Sequence, residues 1–232
     1  MPPIDPAVLL VHGAFHGAWC WSELVPRVEA LGARCETIDL HRGSLEADVA
    51  AVQQAVDALR ADGHAAIALG HSLGCSSVSG LDPARLDHVV FLAGPVSGPG
   101  LPGPEGNIAR GFFEAVTFEN DVMTIDRDRA IDLFYADCDP AVAKEAADRL
   151  RPNLSYGPPE ATAPPLWEAV RSTYLWCEQD AVVEVAYQKE LARHMHDAEG
   201  FDASHSPMLS RPDELAAAIG RVIERTPARE DA

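Results

Sequence analysis

Short, fully apolar runs alternate along this chain with stretches whose apolar residues recur at helical spacing. Runs of four to eight such residues are typical of strands buried on both faces of a parallel sheet, and the helical spacing is typical of amphipathic helices. The pattern predicts strands at 7–11, 33–38, 65–69, 89–93 and 173–177, and helices at 21–31, 45–59 and 73–81. This alternation predicts an α/β fold, with a mostly parallel sheet and helices on both faces.

One long stretch interrupts the alternation. Glycine and proline dominate residues 94–104, which excludes regular structure there, and a second proline-rich stretch at 158–165 returns the chain to the core. Between them, apolar residues at helical spacing predict a small helical cap, inserted over residues 95–165. A chain of 232 residues can bury one sizeable core, so we expect a single domain whose core comprises residues 1–94 and 166–232.

The segment Gly70-His71-Ser72-Leu73-Gly74 directly follows the predicted strand at 65–69 and opens a predicted helix. This strand-to-helix context is the one required of a nucleophile elbow, the sharp turn that carries the serine of an α/β-hydrolase. Small residues two positions before and after the serine avoid clashes at such a turn. We therefore predict Ser72 as the nucleophile; the alternative is a chance match of the pattern in a loop.

A serine hydroxyl needs a histidine to accept its proton, and in this fold the histidine comes last in the chain. Three histidines follow the predicted late strand: His194, His196 and His205. His205 lies in a loop before the final helix, where the base belongs. The other two fall at the polar end of a helix, where solvation is the expected state.

An acid must orient this histidine. Asp180 follows a core strand at its carboxyl end, the edge of the sheet at which such sites assemble. Glu178 is the nearest alternative, while Asp197 and Asp202 lie in polar surroundings that favour solvated side chains. We predict Asp180 as the acid.

The loop after the first strand, His12-Gly13-Ala14-Phe15-His16-Gly17-Ala18-Trp19, is expected to supply one donor of an oxyanion hole. Its glycines allow the backbone to approach the serine closely. The predicted donors are the backbone N–H groups of Ala14 and Leu73. No carboxylate or cysteine cluster accompanies His12 and His16, so structural hydrogen bonding is expected of both and no metal site is predicted.

Three segments of the chain resemble the plant methylesterase and hydroxynitrile lyase family and its bacterial esterase relatives, in the α/β-hydrolase superfamily. They are Val-His-Gly-Ala-Phe-His-Gly-Ala-Trp-Cys-Trp at 11–21, the elbow at 70–74 and the histidine loop at 205–212. A cap segment at 133–138 is similar to a family segment near the substrate pocket. The resemblance therefore covers most of the chain.

Two departures from the family distinguish between its activities. Hydroxynitrile lyases of the family carry threonine after the first histidine and lysine after the catalytic one, where this chain has Gly13 and Ser206. The resemblance therefore implies ester hydrolysis rather than cyanohydrin cleavage. The loop at 40–44 also looks shorter than its family counterpart, which affects one wall of the pocket.

These features together predict a serine carboxylesterase that works through a Ser-His-Asp triad and an acyl-enzyme without any cofactor. By analogy with the family, its substrate is a small hydrophobic or aromatic ester of a small alcohol such as methanol. Phe15, Trp19, Phe112 and Phe134 are the predicted substrate-binding residues, although core packing explains such aromatics equally well. The alternatives are a lyase or cyclase of secondary metabolism that uses the same triad, and a non-hydrolytic protein that binds a small ligand.

Charge and cysteine content bear on the partners, the metal or disulfide sites and the location expected of the protein. A formal charge of −18 repels nucleic acid and anionic membranes, so neither is expected as a partner. Five widely spaced cysteines fit neither a disulfide framework nor a zinc site. Residues 1–6 lack the basic and apolar regions of a secretory signal, and we expect a cytoplasmic protein. The sequence leaves a homodimer as one option for the oligomeric state.

Overall fold

The computed structural model describes residues 5–41, 43–154 and 164–226. Positions 158–163 of the proline-rich return lie outside the described residues, as do residues 1–4 of the N-terminal segment that lacks the features of a secretory signal.

The helices and strands follow one another in three groups along the chain. The first group contains β1 (Pro6–Val11), α1 (Val25–Glu29), β2 (Arg34–Ile38), α2 (Leu45–Ala61), β3 (Ala65–His71), α3 (Gly74–Ser79) and β4 (His88–Leu92). The middle group contains α4 (Arg110–Ala115), β5 (Val116–Glu119), β6 (Val122–Ile125), α5 (Arg127–Phe134), α6 (Pro140–Asp148) and β7 (Asn153–Leu154). The last group contains α7 (Leu166–Ala169), β8 (Ser172–Cys177), α8 (Val185–Ala192), β9 (Asp197–Phe201), α9 (Pro207–Ser210) and α10 (Pro212–Arg225).

Within the described residues, six strands form one parallel sheet in the order β2-β1-β3-β4-β8-β9. Its central strands are buried on both faces, which explains why β1, β3 and β4 are almost continuously apolar. Side chains of α2 pack on one face, and those of α1 and α10 pack on the other. The predicted fold class, a mostly parallel sheet covered on both faces by helices, is confirmed.

The long helix α2 shows how the local sequence produces these elements. Ser44 caps its N-terminus, where the serine hydroxyl oxygen accepts a hydrogen bond from the Ala47 N–H at 3.1 Å. Val52, Val56 and Leu59 recur at helical spacing and are buried against the sheet. Among the described helices, including this one of 17 residues, none is long and apolar enough to cross a membrane.

The middle group differs from the helical cap predicted by the sequence. It contains helices, but β5, β6 and β7 also form an antiparallel sheet. Asn120 and Asp121 connect β5 to β6 with φ values of 50° and 63°, the left-handed conformations that a two-residue hairpin turn requires. Val116 is one of the apolar residues whose helical spacing predicted the cap, and it lies in β5, so the helical interpretation was wrong there. The cap boundaries at 95–165 stay a prediction.

The segment that enters the middle group is joined to the loop after β8. Ile108 and Val183 form an isolated antiparallel bridge. The Ala109 N–H donates to the Val182 carbonyl at 2.8 Å, and the Glu184 N–H donates to the Asn107 carbonyl at 2.9 Å. This short pairing connects the core to the elements inserted between β4 and β8.

Candidate active site

Ser72 lies on the turn between β3 and α3, with a φ of 51°. A non-glycine residue in this left-handed region is strained, and its neighbours must hold it there. The Ser72 N–H donates to the Leu92 carbonyl of the adjacent strand at 2.9 Å. A Cβ on Gly74 would lie 2.6 Å from the carbonyl oxygens of Val11 and His12, so only glycine fits beside this turn.

The structure brings Ser72, His205 and Asp180 together in the predicted order. The Ser72 hydroxyl donates to His205 Nε2 at 3.0 Å, and His205 Nδ1–H donates to Asp180 Oδ2 at 2.8 Å. The acid and base side chains are almost fully buried. Because a carboxylate only accepts hydrogen bonds, the proton on Nδ1 leaves Nε2 free to take the proton of the serine.

Asp180 is held by three further donors. Its Oδ1 accepts the backbone N–H groups of Val182 at 2.7 Å and Val183 at 3.0 Å, and its Oδ2 accepts Gln188 Nε2 at 2.7 Å. Gln188 is fully buried on α8, and its side-chain oxygen accepts the Cys177 N–H at 3.1 Å. The sequence did not single out Gln188, although a glutamine between Tyr187 and Leu191 on the buried face of a helix was an available signal.

The alternative acids and bases contact other partners, and none of them lines the cavity at Ser72. Glu178 pairs with Lys189, Asp197 with Arg171 and Arg225, Asp202 with Gln179, His194 with Glu190, and His196 with Ser172. His194 and His196 are both exposed, as expected, and His196 Nδ1 also lies 2.9 Å from the Ser172 hydroxyl.

The predicted oxyanion donors, the backbone N–H groups of Ala14 and Leu73, belong to residues that both line the cavity beside Ser72. Neither N–H donates to any group in the part of the chain that the structure describes. The loop of Ala14 approaches the serine closely, since a Cβ on Gly13 would lie only 2.8 Å from Ser72 Cβ. These two N–H groups are free to bind a negatively charged oxygen.

Two buried histidines fix the shape of this loop. His12 Nδ1–H donates to the Gly13 carbonyl at 2.8 Å and its Nε2 accepts the Leu40 N–H at 3.0 Å, while His16 Nδ1–H donates to the Ala14 carbonyl at 2.7 Å. Burial lowers the pKa of His12 to about 4 and that of His16 to about 3. Both therefore act as neutral hydrogen-bonding groups, the structural role that the sequence predicted.

An open cavity of about 1050 Å³, including the space at its mouth, lies above Ser72. Its wall comes from the elbow, from the loops after β1 and Asp180, and from the middle group of elements. The lining residues are Ala14, His16, His71, Ser72, Leu73, Ser76, Pro95, Pro104, Ile108, Phe112, Phe113, Phe118, Met123, Phe134, Val182, Val183 and His205.

Of the four predicted substrate-binding residues, the structure places Phe112 and Phe134 in this lining but not Phe15 or Trp19. Phe15 is fully buried, with its ring centroid 6.4 Å from that of Phe134, because it packs behind the cavity wall. Trp19 stacks between His16 and the guanidinium of Arg149 and faces a separate surface groove. The placement of Phe15 and Trp19 in the pocket is therefore corrected.

Two features indicate the class of protein. One is the parallel sheet, and the other is a serine on the sharp turn after β3 that lies in reach of a histidine near the C-terminus. The model of the α/β hydrolase family matches residues 8–218, and the chain belongs to that family.

The chain is similar to individual proteins of known name only at low sequence identity. The chain is 28% identical over 255 residues to an α/β hydrolase of Aspergillus novofumigatus (strain IBT 16806), which covers 95% of this chain and 99% of that protein. It is 24% identical over 257 residues to methylesterase 7 of Arabidopsis thaliana, covering 94% and 96%. The crystal structure of polyneuridine aldehyde esterase superimposes with a TM-score of 0.78 at 18% identity, covering 94% and 99%, and shows the same fold. The predicted relationship to the plant methylesterases is confirmed.

Proposed function

We propose that this α/β hydrolase is a serine carboxylesterase that needs no cofactor. The observation that carries the proposal is the hydrogen-bonded series from Ser72 through His205 to Asp180, with distances of 3.0 and 2.8 Å, at the base of a cavity large enough for a small ester. A nucleophile, its base and an orienting acid in this geometry are the arrangement that acyl transfer requires.

In the proposed reaction, Ser72 Oγ attacks the ester carbonyl carbon while His205 Nε2 accepts the hydroxyl proton. The carbonyl oxygen becomes an oxyanion between the N–H groups of Ala14 and Leu73, and each such donor contributes about 3 kcal/mol to the stability of the transition state. His205 returns its proton to the leaving alcohol, which leaves an acyl group on Ser72. A water molecule, deprotonated by His205, then hydrolyses this acyl-enzyme.

The lining supports a hydrophobic or aromatic acyl group, because aromatic and aliphatic side chains such as Phe112, Phe134 and Val183 make up most of it. The similarity to a protein named methylesterase supports methanol as the alcohol.

Gly13 supports hydrolysis over cyanohydrin cleavage. A Cβ at this position would lie 2.8 Å from Ser72 Cβ and 3.1 Å from His71 Nδ1, so the backbone leaves no space for the threonine of the lyases. The structure thus supplies a physical reason for the departure from the lyase pattern.

The proposal is tested by labelling the wild type, Ser72→Ala and the exposed control Ser22→Ala with a fluorophosphonate, and by assaying each on p-nitrophenyl and methyl esters. We expect only the wild type and the control to be labelled and to hydrolyse the esters. Mass spectrometry of a quenched reaction should show an acyl adduct on Ser72. Equal labelling of Ser72→Ala and the wild type would overturn the assignment of Ser72 as the nucleophile. Turnover without an acyl adduct would indicate a lyase, and ligand binding without turnover would indicate a binding protein.

A further inference from the structure

Among the described residues, the cavity above Ser72 has no side chain with a permanent charge that could bind an ion. None of its lining residues within the described ranges is Asp, Glu, Lys or Arg. Burial lowers the pKa of His16 to about 3 and that of His71 well below the ordinary range, so both rings are neutral near pH 7. An ionised group of a substrate would lose its hydration here without gaining a counter-ion. The cavity therefore suits an uncharged molecule.

Five described lining side chains are polar, and four of them are already engaged or enclosed. Ser72 and His205 bond to each other, and His16 uses both ring nitrogens, one on the Ala14 carbonyl and one on the Tyr135 hydroxyl. The fourth is the histidine that precedes the nucleophile; it donates from Nε2 to the carbonyl of residue 205, and its Nδ1 is sealed from solvent.

The fifth polar side chain is Ser76, which lies on α3 four residues beyond the nucleophile. Only 4% of its surface is exposed, and its hydroxyl has no hydrogen-bond partner among the described residues, yet it is not sealed from solvent. Serines in helices often satisfy themselves on the carbonyl four residues back, as Ser79 does on Cys75 at 2.7 Å. The corresponding carbonyl for Ser76 is that of Ser72, which already accepts the Cys75 N–H at 2.9 Å.

A buried hydroxyl without a partner among the described residues, on the wall of a largely apolar cavity, is a hydrogen-bonding group that remains for a ligand. We infer, on the basis of the esterase function proposed above, that Ser76 determines specificity by hydrogen-bonding an oxygen on the acyl group of an uncharged ester. The favoured substrates are then esters of apolar acids that carry a hydroxyl or ketone oxygen close to the reacting carbonyl, since Ser76 follows the nucleophile by only four residues and lines the same cavity.

The test compares each enantiomer of methyl 3-hydroxyoctanoate with methyl octanoate. Wild type, Ser76→Ala and Ser77→Ala are assayed on both esters, and kcat/KM for the hydroxylated ester is divided by that for the plain ester. Comparing this ratio between the variant and the wild type cancels the difference in intrinsic reactivity of the substrates, and the ratio itself cancels any general loss of activity in the variant. Ser77→Ala is a matched control, because Ser77 is the neighbouring buried serine of the same helix and is absent from the cavity lining.

We expect Ser76→Ala to lower the ratio about 3- to 10-fold for one enantiomer, the loss that follows from removing one neutral hydrogen bond. Ser77→Ala should leave the ratio unchanged. Equal effects of Ser76→Ala on both esters, or no effect on either, would overturn the role of Ser76 while leaving the esterase function intact. If the wild type hydrolyses neither ester nor any ester of the p-nitrophenyl panel, the esterase function itself fails, and this inference with it.

Discussion

Replacing Gln188 by leucine tests how the site depends on a residue that lies outside the cavity lining. Gln188 Nε2 donates to Asp180 Oδ2 at 2.7 Å and to the Val183 carbonyl at 2.9 Å, and its oxygen accepts the Cys177 N–H at 3.1 Å. Leucine is similar in size but makes none of these bonds. The variant therefore leaves a buried N–H and a buried carbonyl unpaired and removes one charge-assisted donor from the carboxylate.

Each unpaired group costs about 1 to 3 kcal/mol, and a hydrogen bond to a charged group contributes about 1.5 to 3 kcal/mol. Because local relaxation recovers part of this sum, we expect a loss of about 3 to 4 kcal/mol in the free energy of unfolding. For a protein of this size, the corresponding decrease in Tm is on the order of 10 °C. Asp180 keeps the N–H groups of Val182 and Val183 and its bond to the histidine, so kcat should fall only about tenfold.

Calorimetry and ester hydrolysis below the unfolding transition measure the two effects. Gln179→Leu is the matched control, because the amide of Gln179 bonds to Asp202 on the exposed surface. We expect this control to unfold within about 0.5 kcal/mol of the wild type. A Gln188→Leu variant with the Tm of the wild type would refute the reasoning from the hydrogen-bond network.

Three further predictions concern the catalytic machinery and its surroundings. Asp180→Asn presents an amide in place of the carboxylate that orients the base, so kcat should fall about 1,000- to 10,000-fold, measured on a p-nitrophenyl ester; a loss below tenfold would contradict this role. Gly13→Ala places a Cβ 2.8 Å from Ser72 Cβ, and the displaced oxyanion loop should lower kcat on the order of 100-fold with native circular dichroism; unchanged kcat would show that the loop adjusts freely. His12 and His16 have pKa values of about 4 and 3 when folded against 6.5 ordinarily, so the unfolded chain binds protons that the folded protein does not, and stability is lost as the pH falls below about 6.5. Urea unfolding at pH 5 should show a loss of about 2 kcal/mol per histidine relative to pH 7.5, and equal stability at both values would contradict the buried neutral state.

The parallel sheet could be predicted because its central strands are buried on both faces and are therefore continuously apolar. The elbow could be located because glycine is required beside Ser72 and because the strand before it and the helix after it are both distinct. Asp180 and His205 follow from chain order, since the carboxyl ends of parallel strands meet at one edge of the sheet. These features are recorded locally in the sequence.

The rest depends on contacts between distant parts of the chain. The hairpin of β5 and β6 has a local signal in Asn120-Asp121, but the helical spacing of nearby aromatic residues obscured it. Phe15 and Phe112 are both aromatic residues near glycine-containing loops, and only the three-dimensional packing shows that one lies behind the cavity wall and the other in it. The free hydroxyl of Ser76 likewise has no signature in the sequence, because it results from the absence of a partner in space.

Val182 and Val183, the second of which pairs with Ile108, contact both the acid and the cavity. Val182 and Val183 bind the carboxylate of Asp180 through their backbone N–H groups, while their side chains form part of the cavity wall. Selection on substrate preference can therefore exchange these side chains without removing the donors that hold the acid. Proline, which has no N–H, cannot supply this donor at either position. At these two residues the backbone therefore holds the acid, while the side chains shape the cavity.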